Sequence, residues 1–154
     1  MAKGLLDLAA SLEKKAKAID EAASKLAVET AQTIVGDLAF KTPVDTSQAL
    51  SNWIVTLDAP STGKIKPHFP GEGGSTQKAS AAETINQARK ILAGKKPGQR
   101  IFITNNLPYI RRLNDGYSKQ APAGFVERAV LIGRKMRKDC ARASALTSLG
   151  YWCH

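Results

Sequence analysis

The sequence is poor in the side chains that perform chemistry. Two of its 154 residues are cysteine and two are histidine. Two cysteines cannot build a disulfide framework, so Cys140 and Cys153 are read as reduced thiols of a cytoplasmic product. A zinc site drawn from Cys140, Cys153 and His154 lacks the spacing that such ligand sets show. The acidic residues are scattered singly, which argues against a paired-carboxylate acid–base site and against a magnesium cage. No phosphate-cradling loop is present. Asp58 stands where Gly63-Lys64 would need the first glycine, and Arg89 stands there for Gly94-Lys95. Neither an enzyme nor a bound cofactor or metal is expected. Aromatics make up only 6% of the chain, and no aromatic RNA-binding strand, zinc finger or helix-turn-helix is visible. No apolar run approaches the ~18 residues of a membrane span. Leu5, Leu6 and Leu8 are interrupted by Asp7 and followed by Glu13 and Lys14, so no signal peptide is read.

What the chain does have is an apolar share of 43% and a length that suits one domain over residues 1–154. It also has a charge imbalance. Lys and Arg number 23 against 13 Asp and Glu, a net of +10. Residues 1–58 hold six basic and eight acidic side chains, whereas residues 59–154 hold seventeen and five. A surface of that sign is suited to DNA, RNA or an acidic protein face, or serves only to keep the chain in solution.

Apolar residues recur every three or four positions from Leu5 through Leu12, Ile19, Leu26 and Ile34 to Leu38, which predicts one amphipathic helix over 4–40. Pro43 biases Thr42 toward extended backbone and should end it. Such a helix would be ~55 Å long, against a diameter of ~38 Å for a compact chain of this size. It must therefore kink, or project and pack on another copy, and projection is the preferred reading. Asp45 is placed to cap a short helix, with Gln48 as its return partner. Ser51–Leu57 reads as a strand with Trp53, Val55 and Leu57 on one face. Residues 58–78, rich in Pro, Gly and Ser, read as a mobile arm or hairpin tip carrying Lys64, Lys66 and His68. A helix over Ala79–Ala93 stops near Gly94, and Ile101–Thr104 is a strand covered on both faces. A short helix runs from Pro108 to Leu113, and Pro122 starts a last helix reaching about Leu146. On that helix Phe125, Ala129, Ile132, Met136, Cys140 and Ala143 form the apolar side, and Arg128, Lys135, Lys138 and Arg142 a basic one. The sum is an α+β domain: a long N-terminal helix, a small mostly antiparallel sheet, and further helices packed on it, including the basic C-terminal one.

Two segments carry more than composition. The first is Thr42-Pro43-Val44-Asp45-Thr46-Ser47-Gln48, with Trp53 shortly after. The second is Asn105-Asn106-Leu107-Pro108-Tyr109, then Gly116, then Ser118-Lys119-Gln120-Ala121-Pro122 ahead of the last helix. In this order, behind a long helix, they resemble the tail-completion proteins (neck, head–tail joining or minor tail components) of tailed bacteriophages and prophages. The family pattern runs Thr-Pro-Val-Asp-Thr-Gly, a Trp, Asn-x-x-Pro-Tyr, a Gly turn and Ser-x-Gln-Ala-Pro. Ser47 stands where that family usually has Gly, and Asn114-Asp115 where an acidic residue more often precedes the turn. Read physically, Thr42, Pro43, Val44, Asp45, Thr46, Trp53, Asn106, Pro108, Tyr109, Gly116, Ser118, Gln120, Ala121 and Pro122 are stops, turns and anchors that hold the fold.

The resemblance implies a structural virion protein, made in the host cytoplasm and built into the head–tail junction. It implies a ring, hexameric by preference and dodecameric as the alternative, between connector, neck and tail-terminator neighbours. Genome DNA would pass through without being read. Lys64, Lys66, His68, Arg128, Lys135, Lys138 and Arg142 are the candidate contact residues, turned mostly toward protein. The alternative is a basic protein that binds DNA without sequence preference or assists packaging.

Overall fold

The computed structural model describes residues 2–148, with side chains over 4–140. The order is α1 (Ala2–Lys41), α2 (Gln48–Ser51), β1 (Ile54–Leu57), α3 (Gln77–Ala93), β2 (Ile101–Thr104), α4 (Ile110–Arg112), a π-turn (Leu113–Tyr117) and α5 (Phe125–Ser148). The fold is α+β, with the long N-terminal helix, a two-stranded antiparallel sheet and helices packed on it. No helix among the described residues is long and apolar enough to cross a membrane.

α1 does not kink. It is one helix of 40 residues, and its two halves have different surroundings. From Ala31 on, it is the central post of the body. One face gives Ala31 and Val35 to a core with Val55, Ala88 and Leu92, joining β1 and α3. The neighbouring face gives Leu38 to a second core with Trp53, Ala121, Phe125 and Ala129, joining α5. Ala39 meets Val44, Leu50 and Ala81 in a third. Residues 4–23 are exposed throughout, so the N-terminal half projects, by ~30 Å at the helical rise.

The helix ends where expected. Thr42 turns its N–H and its Oγ1 onto the carbonyl of Leu38 (3.0 and 2.6 Å), and its Oγ1 accepts the indole N–H of Trp53 (2.8 Å). One buried hydroxyl thereby closes α1 and fixes the tryptophan that leads into β1. β1 and β2 pair with Val55 opposite Ile103 and Thr56 opposite Phe102.

α5 runs back along α1. Gly133, buried against Ile34 and Thr30, sets the closeness of approach, since a Cβ there would lie 2.6 Å from Ile34 Cγ1. The buried position on this face is therefore Gly133, and Ile132, expected on the apolar side, is exposed at 41%. A backbone-to-side-chain contact replaced a side-chain one.

Several boundaries differ from expectation. The segment before β1 is helical through Ser51, so the strand begins three residues late. α5 begins at Phe125 and not at Pro122, because Gly124 takes φ 74° between them. β2 is half-buried along its length, not covered on both faces, since two strands make too small a sheet to be enclosed.

Candidate functional site

The two sequence motifs fold into one junction. The Gln120 side chain reaches across so that its Oε1 accepts the backbone N–H of Val44 at 2.9 Å. Pro43, Asp45 and Gln48 from the first motif face Tyr109, Ser118 and Gln120 from the second around a cavity of about 240 Å³. Gln120 is itself shaped by a small turn, its N–H donating to Ser118 Oγ at 3.2 Å. Ala121, next in sequence, enters the Phe125 core. Gly116 makes the reversal that brings the second motif back. It adopts φ 89°, and a Cβ there would lie 3.0 Å from that of Ala123, so both conformation and space select glycine. Tyr109 forms part of the cavity wall, and burial raises the pKa of its phenol above the usual value.

Ser47 takes φ 61°, ψ 6°, the left-handed conformation that glycine adopts without cost. The turn geometry that the resemblance associates with Gly is therefore kept by a serine. It is buried, and its Oγ lies 2.9 Å from Thr76 Oγ1.

Asp45 and Gln48 do not form the expected cap. Ser47 precedes α2 with no side-chain cap bond. Asp45 accepts Gly73 N–H on Oδ1 and Gly74 N–H on its backbone carbonyl. The Gln48 amide donates to the Ile65 carbonyl at 2.6 Å. Both residues are spent on the long segment after β1. That segment is correspondingly not a free arm or hairpin tip. It is a strap held along the body. Asn52, fully buried, brackets Ile65, accepting its N–H on Oδ1 (2.9 Å) and donating Nδ2 to its carbonyl (2.8 Å). Ser51 Oγ accepts the N–H of His68. Asn106 Nδ2 donates to the carbonyls of Ser61 and Gly63. Thr76 and Ser80 both donate to the Phe69 carbonyl. Side chains supply the partners that a strand would have supplied.

Asn52, Ser51 and Asn114 are the organising residues that sequence reading missed. Asn114 lies in the π-turn, yet its Oδ1 accepts Val126 N–H (2.9 Å), its carbonyl accepts Gly124 N–H (2.7 Å), and its Nδ2 donates to both carboxylate oxygens of Glu127. It caps α5 from eleven residues upstream of its first residue and, with the backbone N–H of Glu127, holds that carboxyl below its ordinary pKa. The available signal was a glycine at position 124, with no side chain to cap, followed by Glu127 in the first turn.

The candidate contact residues do not converge. Lys64, Lys66 and His68 are on the strap, whose bonds go to α2 and to the segment after β2. Arg128, Lys135 and Lys138 are exposed on α5, which packs on α1. Arg142, the Cys153–His154 pair and the aromatic tail 150–154 lie outside the residues whose side chains are described. The pKa of His68 is lowered by desolvation, partly opposed by Glu83. Among the described residues no group of three or more His, Cys, Asp or Glu is placed to hold a metal ion. The junction offers hydrogen bonding and shape.

Compared with protein-family models, curated protein sequences and solved structures, the chain matches none.

Proposed function

We propose that this chain is a structural protein of the phage neck, assembling as a ring that joins the tail to the DNA-filled head. What carries the reading is the pair of motifs that resemble tail-completion proteins, meeting as one unit through the Gln120–Val44 bond at the foot of a projecting helix. A subunit of this kind works by shape. It needs a rigid body, a feature that reaches a neighbour and head-to-tail contacts that close. Three cores converging on the C-terminal half of α1 supply the body. The N-terminal half supplies the reach, with Leu5 and Ile19 exposed at 70% and 68%. Apolar area of that kind in water favours association.

The test is assembly. Purified chain is expected to form closed rings by negative stain and mass photometry, and to complete tail attachment when mixed with filled heads and tails. A chain that stays monomeric at high concentration and fails in that reconstitution ends the reading.

The second reading, a basic DNA-binding or packaging accessory protein, is favoured by the exposed Arg128, Lys135 and Lys138 on one side of α5. It requires duplex binding that falls steeply and linearly with log salt. Rings with negligible duplex affinity decide for the neck.

A further inference from the structure

The projecting half of α1 is built on an unbroken heptad. Leu5, Leu12, Ile19 and Leu26 are seven apart, and Ala9, Ala16, Ala23 and Thr30 follow each by four. This is the a/d spacing of a coiled coil, with alanine at a and leucine or isoleucine at d. The C-terminal end of the seam is already in use. Leu26, Ala27, Thr30 and Ile34 line a groove that includes Arg137 of α5, and Thr33, the next d position, donates to Met136 Sδ at 2.9 Å. N-terminal to Ala23 the same seam runs on exposed, Leu12 at 57% and Ile19 at 68%.

We infer that residues 5–23 of α1 pair in parallel with the same segment of a second copy of this chain, extending the seam between subunits. The flanking charges choose the occupant and its direction. With Leu12 and Ile19 at d, Lys15 falls at g, and Glu13 and Asp20 fall at e. In a parallel pair, g of one helix faces e of the next heptad on the other, five residues on. Lys15 of each copy then meets Asp20 of its partner. An antiparallel pair sets e against e and g against g, which opposes Glu13 and Asp20 to acidic residues and Lys15 to Lys15. A parallel pair has its twofold along the helices, so it ties ring subunits two by two beside the head-to-tail contacts that close the ring, whereas an antiparallel pair needs a twofold perpendicular to the helices. The inference rests on the self-associating ring proposed above and names a contact between pairs of its subunits.

The experiment uses the full chain. Leu12→Glu with Ile19→Glu should weaken self-association by about 100-fold or more in sedimentation velocity, from the loss of two large apolar contacts per copy, with the unfolding midpoint of the dilute, monomeric chain unchanged. Lys15→Glu should weaken it by about fivefold, as for an exposed ion pair, and Lys15→Glu with Asp20→Lys should restore it. Rings that persist unaltered in the Leu12/Ile19 variant overturn the seam and leave the ring reading standing. A midpoint lowered in that variant at concentrations where both it and the wild type are monomeric places the partner within the same chain and overturns it too. Failure of the charge reversal to restore association overturns the parallel direction. A wild-type chain monomeric at every concentration removes both ring and seam.

Discussion

Residues 4–23 and 31–39 belong to one helix and share one kind of pattern, yet the first is exposed throughout and the second is buried or half-buried at every position. Both halves have apolar residues every three or four positions, so periodicity alone does not separate them. They differ in what the rest of the chain brings alongside. The second half is met on adjacent faces by α3 with β1, by α5, and by the turn after α1. An apolar stripe is a demand for a neighbour, and a chain of 154 residues has enough other elements to cover only part of a stripe this long.

The sharpest test substitutes equivalent residues in the two halves. Leu38→Ala removes a side chain 2% exposed in the Trp53–Phe125 core and should lower folding stability by about 2–5 kcal/mol in urea denaturation. Leu12→Ala should change monomer stability by less than about 0.5 kcal/mol. Equal losses would mean that the projecting half is covered within its own chain.

Gly133→Val attacks the α1–α5 contact at its tightest point. A side chain must enter where Ile34 already sits, so a loss of about 1–3 kcal/mol is expected, confined to the packed half. Asn114→Ala removes the remote cap of α5 and should cost about 0.5–2 kcal/mol. It should also raise the Glu127 pKa toward its ordinary value by NMR titration, because the Asn114 amide is the first cause of its lowering. An unchanged Glu127 titration would refute the cap geometry. At Ser47, Gly should be close to neutral, since relief at φ 61° offsets the lost contact to Thr76, whereas Val should destabilise by roughly 1–3 kcal/mol.

The smallest effect concerns acid. Burial lowers the His68 pKa from 6.5, so the unfolded chain takes up a proton there before the folded one does. The stability this contributes is fully present above pH 6.5 and is lost as pH falls through the lower folded pKa. His68→Asn should flatten that slope in urea midpoints taken across this range. A slope of the opposite sign would place His68 in a different environment.

Much of this was legible beforehand, for identifiable reasons. α1 and its stop at Thr42 follow from side-chain period and from Pro43, and α3 and β2 from patterns whose signals lie within a few residues of one another. The strap was not legible. Its partners are Asn52, Gln48 and Asn106, and hydrogen bonds between loop backbone and distant amides leave no periodic trace. Asp45 and Gln48 show the same limit, since their spacing satisfies a local cap and the fold uses them for partners 28 and 17 residues away. Gly133 shows it for packing, where a helical wheel favours Ile132 and closeness to α1 favours no side chain at all.

By itself the sequence determined the helices, the antiparallel strand pair, the turn at Gly116, and the scarcity of catalytic side chains, because each depends on neighbouring residues and on intrinsic backbone and side-chain chemistry. Only the tertiary structure decided which half of α1 is covered, that two motifs about sixty residues apart form one junction, and that the Pro/Gly-rich segment lies bound. Those outcomes depend on which surfaces reach each other first and bury most, and that is a property of the whole chain in space.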